Sequence, residues 1–439
     1  MRHLLCLLLL PLCAASSAAP RRAGPPHHQY ELENGLRVVL LPDPSSPAVS
    51  VVVGYRVGSR DDPPAKSGLS HLFEHMMFDG SANVAPHEHS LLISLVGGRH
   101  NAQALRDATV YHNTVPAHQL ELALFLEADR MASLEITARS LSNQKDAVTE
   151  ERRLRVDNVG GGRGTEALNR LLFGRSGPDV GGVLGTPETV NAITLDDARA
   201  FYRAHYRPPN AVLTLAGDVT PQRTLPLVRK YFSRVARGGT SDMADVAAPP
   251  LPESRRVVVQ DPFGRAARVE VGWRVPLTAG DGALSMASSL LGGGRSSRLY
   301  RRLVRQERLA TEVSATAETT RDWQSLRVQV VARGGADAAS IEAAIHDEVG
   351  RLARGSVSDD EFETARTLAV SRWAAGLAMP LSRATQVTRH VLEHGTASQF
   401  DRPLRLLASA SPVQVSRLAD TYLRPQAAVV ALTAPAPSK

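Results

Sequence analysis

The feature that most constrains the fold of this chain is an internal echo. Val51-Val52-Val53-Gly54-Tyr55-Arg56-Val57 returns as Val269-Glu270-Val271-Gly272-Trp273-Arg274-Val275. The shared pattern is V-x-V-G-aromatic-R-V, and a loop and a helical stretch follow it both times. This predicts two copies of one α+β unit. A chain of 439 residues is too long for one compact core, and units of roughly 200 residues are ordinary domains. The expected fold class is therefore α+β, with two homologous α/β-sandwich domains in tandem at 28–237 and 254–435. The stretch Gly238–Glu253 is rich in Gly, Ser, Pro and Ala without periodicity, which marks 238–253 as a linker.

Within the first copy, Gln29–Glu33 and Leu36–Leu41 flank Asn34-Gly35, a hairpin signal. Val49–Val57 reads as a strand. A charged loop, Ser59–Lys66, leads into a helical segment, Ser67–Gly80. Further helices are expected near His87–Val96, from Pro116 to Leu134, and over Ser140–Val156, Thr194–Tyr206 and Pro221–Tyr231. Strands are expected at Asn101–Leu105, Thr109–Val115 and Ala211–Ala216. Asn158–Gly164 reads as a glycine loop; without a Lys-Ser/Thr pair it is no phosphate-binding loop.

The Ser67–Gly80 helix carries His71-Leu72-Phe73-Glu74-His75. Residues four apart share a helix face, so His71 and His75 can hold one metal ion. Glu74 lies close enough to take a proton from a metal-bound water. This H-x-x-E-H order is that of the inverzincins. The second copy is an internal control: Pro276–Gln306 contains neither His nor Glu, so the scaffold does not need the motif to fold.

A catalytic zinc takes three protein ligands and leaves one position open. The Ser140–Val156 helix carries Glu150 and Glu151. By helical periodicity Gln144, Ala147, Val148, Glu151 and Leu154 share one face, with Glu150 about 100° away. A carboxylate on a buried face is costly unless paired or metal-bound, which favours Glu151 over a surface role.

Composition narrows the class further. The net charge of +7 is spread along the chain, and no nucleic-acid motif accompanies it, so it reads as a solvated basic surface. Arg2, the apolar run Leu4–Leu12 and the small residues Ala14–Ala19 form a secretory signal peptide, 1–19. The expected location is periplasmic or secreted. Leu12 before Cys13 argues against a lipid anchor. Cys6 and Cys13 both lie in the removed segment, which leaves a mature chain without thiolate ligands. No later apolar run reaches the length of a membrane span.

With these residues in place, the sequence resembles the pitrilysin/insulinase family of zinc metallopeptidases, and within it the bacterial proteins similar to the mitochondrial processing peptidase. That family places a Glu on a later helix, some seventy to eighty residues after H-x-x-E-H. Here Glu151 follows His75 by 76 residues, and Glu151-Arg152-Arg153 matches the ligand helix. Gly97–Ala102 with Asp107–Tyr111 is similar to the family's substrate-side strand, and Leu291–Tyr300 to the start of its second-half helix.

The resemblance implies a mitochondrial-processing-peptidase-like metallohydrolase fold and one Zn2+ per chain. It implies His71, His75 and Glu151 as ligands, Glu74 as general base, and Asn101 and Ala102 as backbone contacts to a peptide added to an edge strand. The implied activity is that of a zinc-dependent endopeptidase acting on peptides or unfolded polypeptides.

Two positions depart from the pattern. Gln144 stands where an acidic residue is common, and Val304 and Thr311 stand where many members carry an Arg and a Tyr. The expected partner is therefore a homologous chain supplying the Arg/Tyr pair, or a second copy of this chain. The alternative reading is a non-catalytic assembly or binding subunit that retains the metal site. A second H-x-x-E-H, His390-Val391-Leu392-Glu393-His394, has no His or Glu after it and reads as a chance match on an amphipathic helix. His87, His89, His100, His112 and His118 read as surface or strand residues rather than ligands.

Overall fold

A computed structural model describes residues 26–173, 182–239 and 253–436. The segment expected to be a signal peptide and residues 240–252 of the expected linker lie outside the described residues.

The first half runs β1 (His28–Glu31), β2 (Arg37–Pro42), β3 (Ala48–Tyr55), α1 (Leu69–Met76), α2 (Glu88–Leu95), β4 (Arg99–Ala104), β5 (Thr109–Pro116), α3 (Leu120–Ser133), α4 (Ala138–Arg152), α5 (Gly162–Phe173), α6 (Pro187–Asn191), α7 (Leu195–His205), β6 (Ala211–Gly217) and α8 (Pro221–Phe232). The second runs β7 (Arg255–Asp261), β8 (Arg268–Val275), α9 (Asp281–Gly292), β9 (Ala310–Thr319), β10 (Gln324–Ala332), α10 (Ala338–Ala353), α11 (Asp359–Ala375), α12 (Pro380–His394), α13 (Arg402–Ser409), α14 (Pro412–Tyr422) and β11 (Val429–Pro435).

Two sheets result. Their orders are β1-β2-β6-β3-β5-β4 and β7-β11-β8-β10-β9, so the echoed strands β3 and β8 occupy the same place in each. Each sheet has one parallel pair, β2 with β6 and β7 with β11. The hairpin expected at Asn34-Gly35 is the antiparallel β1–β2 pair. β4 pairs only with β5 and forms an edge.

One face of each sheet buries its own helices, in separate apolar cores. The other face is covered from the opposite half. α12 lays Val387 and Val391 against Val39, Val52 and Val212 of the first sheet. α5 lays Leu168 and Leu172 against Val429 and Ala431 of the second. The echoed glycines mark this exchange. A Cβ at Gly54 would meet Thr388 Cγ2 at 2.5 Å and Leu392 Cδ1 at 2.8 Å, both on α12. A Cβ at Gly272 would meet Leu172 Cδ1, on α5, at 2.9 Å. Both glycines admit a helix closer than any side chain would.

Two local expectations need correction. The glycine loop ends sooner than its sequence suggests, because Gly162–Gly164 already belong to α5. Gly164 abuts the Thr433 side chain, so its small size serves close packing rather than a turn. The expected Ser140–Val156 helix is α4 followed by a π-helical stretch, Arg153–Asp157. That change of winding turns Leu154 outward, and it is 59% exposed. Ala147 is exposed as well, so the inward face narrows to Gln144, Val148 and Glu151, with Arg152 also buried.

Candidate metal centre

α1 is divided by its sequence into two faces. Leu69, Leu72, Phe73 and Met76 follow helical spacing and enter the first core. His71, Glu74 and His75 are left on the other side. The N-terminus of α1 is held by Asp62, whose carboxylate accepts from Gly68 N at 2.8 Å and from Ser70 N at 2.9 Å. Ser70 Oγ donates to the same carboxylate at 2.5 Å. Burial, against the lowering effect of the Ser70 and Gly68 hydrogen bonds, pushes Asp62 up to about 7. Midway along α1, Tyr111 of β5 donates its hydroxyl to Phe73 O at 3.0 Å.

The C-terminal end rests on a buried ionic network. Arg130 donates to Glu127 through both Nε, at 3.1 Å, and Nη2, and its Nη1 reaches Met77 O at 3.3 Å. Asn113 donates to Glu127 at 2.6 Å and meets His89 Nε2 through Oδ1 at 3.1 Å. His89 is thus a buried helix residue, neither surface nor strand as its sequence suggested. Burial, then Arg130, push it down to about 2, so it stays neutral. His100 and His112 stand on β4 and β5, His118 follows β5, and His87 is exposed.

α4 packs across α1 and brings Glu151 to the histidines. Glu151 Oε2 lies 3.0 Å from His75 Nε2 and 3.4 Å from His71 Nε2. Donor atoms of His71, His75 and Glu151 all fall within 4.8 Å of one another, and no other such group occurs among the described residues. Glu150 points away and pairs with Arg153 at 2.8 Å. The other Glu151 oxygen meets Arg155 at 2.6 Å. His71, against the opposing effect of burial and with help from His75 and Arg155, holds the Glu151 carboxyl at about 2. Burial, then His71, lowers the pKa of His75.

Two imidazoles and one carboxylate are the donor set of a hydrolytic zinc site, which keeps its fourth position open. His71 turns Nε2 to Glu151, and its Nδ1 is buried with no hydrogen-bond partner among the described residues. Glu74 Oε2 lies 3.8 Å from His71 Nε2 and accepts the Ala104 N–H of β4 at 2.6 Å. Asn101 and Ala102 stand three and two positions before Ala104 on this edge strand, and the Ala102 N–H turns to Asn101 Oδ1 at 2.9 Å.

Sequence reasoning missed Asp62 and Arg155. Both left a signal: an Asp ahead of a helix start, and a Glu–Arg pair at i, i+4. Val304 is partly buried against the second core, and Thr311 is exposed at the start of β9. The second H-x-x-E-H lies on α12 and gathers no third ligand among the described residues.

Family models match most of the chain. Residues 37–159 match the model described as insulinase, peptidase family M16, and residues 192–368 match the peptidase M16 inactive domain. The chain is 30% identical over 302 residues to the zinc protease PqqE of Helicobacter pylori, covering 66% of each. It is 28% identical to a zinc protease of Streptomyces coelicolor, over 91% of this chain and 88% of that one. A protease from Helicobacter pylori has the same fold, with a TM-score of 0.88 at 24% identity over 94% of this chain and 100% of that one.

The fold and the two matched models define a two-domain protein of the M16 peptidase class. The chain belongs to the pitrilysin/insulinase family, M16.

Proposed function

We propose that the chain is an exported zinc endopeptidase that cleaves extended peptides or unfolded polypeptides. The observation that carries this reading is the convergence of His71, His75 and Glu151 within 4.8 Å, with Glu74 beside them. Bound by these three side chains, zinc would polarise the scissile carbonyl and lower the pKa of a water at its open position.

The chain supplies the rest. Glu74 takes the proton of the attacking water on Oε2 and hands it to the leaving amine nitrogen. The Ala104 N–H orients that oxygen and ties it to β4. β4 is a sheet edge, and an extended peptide joining it gains main-chain hydrogen bonds, with Asn101 and Ala102 among the contacts. Main-chain recognition favours unfolded substrates, whose backbone is free to pair.

Val304 and Thr311 bring no cation to a developing oxyanion, and this favours a second chain that does. We therefore assign this chain the zinc-bearing role in a pair whose homologous partner supplies an Arg and a Tyr. The same observation sustains a second reading, a subunit that keeps its metal but has lost turnover. Cleavage of an unstructured peptide by the purified chain, alone and mixed with such a partner, separates them. Weak activity that rises on mixing is expected. Full activity alone would refute the partner, and metal binding without turnover in either case would favour the second reading.

A further inference from the structure

A cavity of about 400 Å³ lies beside the second H-x-x-E-H, between α9, α11, α12 and α13. Its size is that of a small-molecule site. It shares no residue with the metal centre. Trp373 and Phe400 form one wall, their ring centroids 5.8 Å apart, and Leu406 extends it. Two cations line the cavity as well. Arg389 is exposed and makes no hydrogen bond or ion pair among the described residues. Arg402 reaches His394 Nε2 at 3.4 Å. One carboxylate opposes them, Glu393, which is half exposed and 3.8 Å from His394 Nδ1.

His390 lines the same cavity. It is 9% exposed, stacks on His394 with centroids 4.4 Å apart, and meets Phe400 edge-on. Its Nε2 is buried with no hydrogen-bond partner among the described residues. A buried polar atom left unpaired costs stability unless something binds it. Burial, then His394 and Arg402, push His390 down to about 4, so it is neutral at pH 7 and Nε2 can carry a hydrogen.

We propose that this cavity is a second binding site, which takes a small planar aromatic carboxylate. The ring lies against Trp373 and Phe400. The carboxylate meets Arg389, Arg402 and His390 Nε2. An aliphatic anion would leave the aromatic wall uncovered, and a neutral ring would bring no charge to the exposed Arg389. The opposite face of α12 covers the first sheet through Thr388 and Leu392, so the ligand would contact a helix that joins the two halves.

Calorimetric titration of the full chain with indole-3-acetate tests the proposal. Indole serves as the ring-only control and acetate as the charge-only control. Saturable one-to-one binding is expected, with each control weaker by about tenfold or more, the loss of a charge-assisted contact or of aromatic packing. Arg389→Ala and Trp373→Leu should each weaken binding by about tenfold while the melting curve stays in place. Binding should be equal in zinc-loaded and chelator-treated protein. No saturation at millimolar ligand would overturn the proposal, as would binding indifferent to both substitutions. Indole binding as well as indole-3-acetate would reduce the site to an apolar pocket. Loss of binding on chelation would move the ligand to the metal centre.

Discussion

Glu127→Gln tests why α1 is rigid enough to hold a metal site. Glu127 and Arg130 are both essentially excluded from water, at 0% and 2% exposure. Burial raises the Glu127 pKa, against the lowering effect of Arg130 and Asn113. Glutamine keeps the shape and can still accept from Asn113, but it leaves the Arg130 cation buried without a counter-charge. Breaking a buried pair from one side costs about 3–5 kcal/mol. For a half of about 200 residues, this lowers the thermal midpoint by roughly 6–20 °C. The double change Glu127→Gln with Arg130→Met removes both charges and should recover at least half of that loss. Some loss remains, because Arg130 also lies 4.7 Å from the Phe78 and Tyr111 ring centroids and bonds Met77 O. Calorimetry of the metal-free chain, all variants at one pH, supplies the measurement. A Glu127→Gln midpoint within about 2 °C of wild type would refute the reasoning, as would a double variant whose loss equals the sum of the singles.

Three further outcomes follow from the packing and the charges. Gly54→Val would force an isopropyl group into Thr388 and Leu392, and a melt should show a loss of about 1–3 kcal/mol or more. Asp62 titrates at about 7 when folded and near 3.8 when unfolded, so the stability tied to its protonation is full below pH 3.8 and lost as pH rises through 7. Asp62→Asn should flatten that fall in melts taken between pH 5 and 8, and an unchanged slope would contradict the assignment. His394→Ala should leave metal content at one zinc per chain by elemental analysis, whereas His75→Ala should abolish it.

Much of this was legible in the sequence because it is local. The Asn34-Gly35 hairpin, the two-faced α1 and the inward side of α4 each follow from the spacing of a few residues. Glu151 was separable from Glu150 because one residue turns a helix by about 100°. What was not legible depends on distant parts of the chain. Nothing near Leu172 says that its helix will cover the second sheet, and nothing near Thr388 says that its helix will cover the first. The exchange did leave a trace in the echoed Gly54 and Gly272, but a glycine inside a strand is equally a bulge signal until the approaching helix is seen. Gly162 and Gly164 misled for the same reason: a glycine that makes room has the same letter as one that turns the chain. His89 was misplaced because its partner Asn113 is 24 residues away, on another element.

We assign to Glu74 the proton transfer at a metal site built by His71, His75 and Glu151. The most direct measurement is zinc content and cleavage of an unstructured peptide, side by side, for wild type and Glu74→Gln, each with the partner chain present. One zinc per chain is expected in both proteins. Glu74→Gln should lose cleavage by about 10²–10⁴-fold, the usual contribution of a general base. A Glu74→Gln protein that cleaves as fast as wild type would contradict the assignment.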